Sequence, residues 1–208
     1  MLKMSARIGS LSGIAFVALV FAAQLSTGGI PNSSASPTTV IDFYQAHQSS
    51  EQLGTVLTAA AVVVGLYFFG CLRTYLSRVA GGPQFASIGF AGVILFAVGG
   101  CINAGLQWSL ADVPSRLSPG AAQALNVLFS DNLATGFYIA GLASLMLFYG
   151  IAMVRTRLMP RWLGWVSIGL GVIALAGPLA FLVFVAMAPW TITVSILLYL
   201  RDRDVAPA

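Results

Sequence analysis

The chain has 208 residues, of which 58% are hydrophobic and only 8% charged, with a formal net charge of +4. A soluble domain usually carries about 25% charged residues, and a surface this poor in charge would aggregate in water, so lipid is the solvent for most of it. The basic excess is no nucleic-acid footprint either, because the basic residues sit beside apolar runs and form no stripe interleaved with aromatics.

The first apolar run, residues 8–25, follows Lys3 and Arg7. It is just long enough to span a bilayer and long for a signal-peptide core. It reads as an uncleaved signal anchor, although Ala22 and Ala23 would suit a cleavage point. Gly9 and Gly13 form one GxxxG, a pattern that permits close helix contact and, in other settings, dimerisation. Residues 26–39 are rich in Ser, Thr, Gly and Pro and read as a loop. Ser36-Pro37 then offers an N-cap followed by proline in the first turn. Val40, Phe43, Tyr44 and His47 recur at helical spacing, which predicts a short amphipathic helix over 37–50 on the outer membrane surface.

A second span is predicted over 53–72, ending at Arg73 and Arg78, and a third over 85–108 after the turn Gly81-Gly82-Pro83. The outer loop that follows contains Asp112, Pro114 and Arg116. It repeats the Ser-Pro start at Ser118-Pro119, so a second interfacial helix is expected before Asp131. The fourth span, 133–154, ends at Arg155, Arg157 and Arg161. The stretch 162–200 has two readings. A turn at Gly177-Pro178 gives spans 162–176 and 179–200. A turn at Pro189-Trp190 would place Trp190 at an interface, where Trp prefers to sit, but leaves a last segment too short to cross.

Charge decides for the first reading. With six crossings, nine of the ten basic residues fall on one side and only Arg116 on the other. The positive-inside rule makes the first side cytoplasmic. The expected fold is therefore an all-α polytopic membrane helix bundle: six transmembrane helices plus two short outer interfacial helices. It forms a single transmembrane domain in a cell (inner) membrane, with both termini cytoplasmic.

The six predicted spans hold no Asp, Glu, Lys, Arg or His in their apolar cores. Such groups are kept in membranes mainly for function, so ion-coupled transport is disfavoured. Lys3 is the only lysine and His47 the only histidine, which excludes a buried retinal lysine and bis-histidine haem. No HExxH, CxxC or GxSxG occurs. No cofactor or metal site is implied, and Cys71 and Cys101 read as small buried hydrophobes too far apart to pair.

Three groups of polar residues stand out. His47 and Glu51 lie four apart, with Asp42 before them and Asp131 in the second outer loop. Together they could assemble an outward-facing acid–base site, or simply make a solvated polar face. Asn103 and Gln107, also four apart, could line a ligand path or hydrogen-bond a neighbouring helix. Arg155, Arg157 and Arg161 could hold lipid head groups or act only as topology signals.

The segment Phe43-Tyr44-Gln45-Ala46-His47 leads through Glu51-Gln52-Leu53-Gly54 into a span ending Leu72-Arg73. Arg161-Trp162-Leu163-Gly164-Trp165 opens the fifth span. Together they resemble an uncharacterised family of small multi-pass bacterial proteins common in actinobacteria. That resemblance implies six helices and a bacterial inner membrane, and it assigns no catalytic residue. The reading favoured by the sequence is a non-enzymatic membrane protein: an accessory or assembly subunit, or a lipid or small-molecule binder. Its partners would be the bilayer and either another membrane protein or a second copy of itself. The alternatives are an uncoupled transporter or channel for a neutral solute, and a membrane enzyme with its site at the outer rim.

Overall fold

In the computed structural model, residues 2–112, 114–130 and 135–204 are described, and among them every regular element is helical. The α-helices are α1 (Leu2–Ser26), α2 (Pro37–Ala46), α3 (Gln48–Leu76), α4 (Pro83–Asp112), α5 (Pro119–Ser130), α6 (Thr135–Thr156), α7 (Arg161–Ala174) and α8 (Ala180–Asp204). Five helical stretches are long and apolar enough to cross a membrane. The chain is thus an all-α membrane protein with several crossings. α7, with 14 residues, spans about 21 Å at 1.5 Å per residue, short of a hydrocarbon core of about 30 Å.

Sequence neighbours are spatial neighbours. α1 packs on α3, α3 on α4, α4 on α6 and α6 on α7, while α8 returns to lie against α1 and touches α6 and α7 only lightly. The α4–α6 and α6–α7 seams are built on glycine. A Cβ on Gly141 would lie 2.5 Å from the Phe96 nitrogen and 2.8 Å from the Gly92 oxygen, so the two backbones are in contact. Gly150 and Gly164 make the same kind of approach between α6 and α7. Close backbone packing of this kind holds helices together where no hydrophobic force between them exists. Gly9 and Gly13 serve the same purpose inside the chain: Gly9 faces the Cys71 sulfur of α3, and Gly13 faces Phe68 of α3 and Ser195 of α8.

The last two helices are joined at Gly177-Pro178, where Gly177 adopts φ +66°, a conformation that glycine reaches without penalty. α8 runs unbroken through Pro189. Trp190 is buried mid-helix, not at an interface, because its indole N–H has a partner. Nε1 donates to Ser167 Oγ at 2.7 Å, and the Ser167 hydroxyl donates in turn to the Leu163 carbonyl. The Phe69 ring stacks against both Tyr149 and Trp190, with centroids 6.0 and 6.4 Å away.

Both short helices occur where the Ser-Pro pairs placed them. The Ser36 hydroxyl accepts from the Thr39 N–H as the N-cap of α2. α2 ends at Ala46, however, and residues 48–52 belong to α3. The apolar stripes of α2 and α5 turn toward each other and toward the end of α4. Val40, Tyr44, Leu110, Ala111, Ala122 and Phe129 form a second, smaller core. The result is a cap over one end of the bundle. Five of the arginines (Arg73, Arg78, Arg155, Arg157 and Arg161) gather at the opposite end, and three of them lie over aromatic rings, Arg155 over Phe85 at 4.6 Å.

Candidate functional site

Glu51 lies in the first turn of α3 and is fully buried. The sequence reading had left it outside the second span, because the apolar run begins at Leu53; the helix begins earlier. The Gly28 N–H donates to Glu51 Oε1 at 3.0 Å, and Gln107 Nε2 donates to Oε2 at 2.7 Å. One carboxylate therefore ties together the segment after α1, the start of α3 and the last turns of α4. Bonds to a charged acceptor are roughly twice as strong as neutral ones, and a buried carboxylate needs such donors to offset lost hydration. Nearby, burial raises the Tyr44 phenol above its ordinary pKa, and the Glu51 charge raises it further. The Tyr44 hydroxyl has no hydrogen-bond partner among the described residues.

The residues grouped in the sequence do not share one site. His47 is exposed, stacks on Phe43 at 4.5 Å, and uses Nδ1 on the Phe43 carbonyl. Asp42 is exposed, and Asp131 lies outside the described residues. Among the described residues no group of three or more His, Cys, Asp or Glu could hold a metal ion. What the structure brings together instead is Glu51 and Gln107, one from each of two sets that the sequence kept separate. Asn103 goes elsewhere: it lines a cavity together with Tyr138 of α6, and its Oδ1 is buried with no partner among the described residues. Arg155, Arg157 and Arg161 are all exposed. No disulfide joins Cys71 and Cys101, and neither is the buried side chain the sequence suggested: Cys71 is half-buried and Cys101 is exposed.

Apart from a shallow apolar hollow of about 410 Å³ against α3 and α4, the open space in the bundle lies between α1, α3, α4, α6 and α8. Three cavities of about 100, 380 and 300 Å³ share walls there, and Gln24 and Phe184 line all three. Phe96 stands in the wall between the first two, in ring contact with Tyr138 and Phe184. Among the described residues, no lining residue is charged. The polar groups are Gln24, Thr58, Asn103, Thr135 and Tyr138. Gln24 and Thr135 are missing from the sequence reading; an amide in the last turn of an otherwise apolar span was the available signal for the former. The larger volumes fall in the range of small-molecule sites, about 300–1,000 Å³, which are mostly apolar with a few polar groups. Glu51 lines none of these cavities. No family model, curated protein or solved structure matches this chain.

Proposed function

We propose that this protein is a non-enzymatic membrane protein that takes up an apolar or weakly polar molecule from the bilayer. The single observation behind this is the set of three adjoining cavities between α1, α3, α4, α6 and α8. One of them, between α1 and α8, is walled by Phe21, Phe181 and Val185, which are 53%, 69% and 52% exposed at the bundle's lipid-facing side. A ligand dissolved in the membrane can enter there without crossing water. Catalysis has less support, since the one buried carboxylate among the described residues, Glu51, lines none of these cavities and is already bonded within the protein.

The arrangement in the membrane is part of the proposal. All six apolar helices cross, α7 with its flanking residues. The cap faces outward, and both termini lie in the cytoplasm of a bacterial cell, as the nine-to-one division of basic residues supports. A reporter enzyme active only outside the cell, fused after Ala208, is expected to be silent.

The binding test is direct. The protein is purified in lipid nanodiscs and extracted, and its retained small molecules are identified by mass spectrometry. Val20→Trp, which fills the shared wall of two cavities, is expected to lower retention several-fold. Equal retention by that variant, or no retained molecule beyond bulk lipid in the wild type, would overturn the reading.

A further inference from the structure

We infer that the ligand of this crevice is a single-chain amphiphile with an uncharged, hydrogen-bonding head. This rests on the binding function proposed above and adds the class of molecule bound.

The inference follows from how polarity is distributed along the crevice. Its polar groups cluster toward the capped end. Gln24 sits two residues before α1 ends at Ser26, Thr135 opens α6, and Tyr138 follows one turn later. Away from the cap the walls become apolar. Among the described residues, the α1–α8 cavity has Gln24 as its only polar lining residue; the others include Phe16, Val17, Phe181, Val185 and Met187. A site with a polar top and an apolar groove matches a molecule with a head and a tail. The direction also fits, because the cap marks one membrane boundary and the groove runs from it toward the middle of the bundle.

The head must be neutral on electrostatic grounds. Among the described residues, none that lines the three cavities bears a charge. The arginine cluster belongs to the opposite end of the bundle, and Glu51, the buried acid near the cap among the described residues, is committed to Gly28 and Gln107. A phosphate or carboxylate head would enter a low-dielectric site with no counter-charge, which is costly. A hydroxyl head meets what it needs. The Gln24 side chain lies at the meeting point of all three cavities and makes no hydrogen bond among the described residues, so its amide can both donate and accept. Asn103 and Tyr138, which line the same cavity, supply further polar contacts. The tail occupies the groove between α1 and α8 and reaches it sideways, past Phe21 and Phe181.

The experiment uses the full-length protein in phosphatidylcholine nanodiscs and a monoacylglycerol with a diazirine in its acyl chain. After illumination, the labelled peptides are mapped. Labelling is expected to saturate, to fall within 16–24 and 181–188, and to be competed by unlabelled monoacylglycerol. A fatty acid of the same chain length should compete about tenfold more weakly or worse. Gln24→Leu, which removes one neutral hydrogen-bonding group, should weaken capture by about three- to tenfold, with the mapped sites unchanged. If the fatty acid competes equally well, or Gln24→Leu captures as wild type does, the neutral-head inference fails while the binding function stands. If labelling is unsaturable and spread over all lipid-facing helices, only annular lipid is present, and both fail together.

Discussion

The two flanks of this bundle are made from the same apolar alphabet and pack in opposite ways. On the α4–α6–α7 flank, glycines bring backbones into contact, with Gly92 against Gly141 and Gly150 against Gly164. On the α1–α8 flank Gly13 still meets Ser195 closely, but toward the cap the facing residues include Phe16, Phe181 and Phe184, and a cavity of about 300 Å³ remains beside them, adjoining one of about 380 Å³ that α4 and α6 also line. In lipid, apolar surface gains nothing by meeting apolar surface, so association depends on how closely the helices can approach. Small residues give a rigid seam. Bulky rings prop the helices apart and leave room for a third party. Composition alone does not distinguish the two flanks; the position of each glycine along its helix does.

The largest expected effect tests that contrast. In Gly141→Val the new Cβ would lie 2.5 Å from the Phe96 nitrogen, where neither backbone can yield without moving a helix. The loss should reach or exceed the top of the range for overpacking, about 1–3 kcal/mol, and appear as a large fall in thermal midpoint or in the yield of monodisperse protein. Val20→Trp, on the loose flank, should change the midpoint by no more than about 3 °C. Equal losses would erase the distinction between the flanks.

A second contrast sets the cap against the bundle. Glu51 is the charged link between them, and Glu51→Ala leaves the Gly28 N–H and Gln107 Nε2 without their acceptor. The expected cost is about 1–3 kcal/mol. It should be read as a lower thermal midpoint together with faster proteolysis in 27–36, the segment that Gly28 anchors. Glu51→Gln keeps an acceptor of the same shape and should lose less. Were both variants as stable as wild type, the carboxylate would not be what fastens the cap.

Trp190 offers a smaller effect and shows where sequence reasoning succeeds and stops. Trp190→Phe removes the indole N–H that bonds Ser167, whose own hydroxyl keeps its bond to the Leu163 carbonyl. The expected loss is about 1 kcal/mol, and no loss at all would mean that the bond does not help hold α8 on α7. The apolar segments, their arginine ends and both Ser-Pro helix starts were readable because each depends on local composition or on a cap a few residues long. Gly177-Pro178 was readable for the same reason, and Trp190 argued against it only because its partner is 23 residues away. Glu51 with Gln107, 56 residues apart, is the same case. Each residue was visible as a polar group, but their meeting depends on how α3 and α4 align. The start of α3 was misplaced because hydrophobicity marks where apolar residues begin, not where the helix does.

The smallest expected effect separates two residues on one helix that the sequence treats alike. Gln107 is 6% exposed and bonded to a carboxylate, whereas Asn103 carries a buried Oδ1 with no acceptor bond made among the described residues. Replacing a polar group that pairs leaves its partner unsatisfied. Replacing one already unsatisfied removes a cost. Gln107→Leu should therefore lower the thermal midpoint, while Asn103→Leu should leave it unchanged or raise it slightly. Asn103→Leu should at the same time weaken monoacylglycerol capture, because it strips a polar group from the head end of the crevice. If instead Asn103→Leu destabilises as much as Gln107→Leu and leaves capture intact, Asn103 is interhelical glue. Among the described residues, the crevice would then have Gln24, Thr58, Thr135 and Tyr138 to recognise a head group.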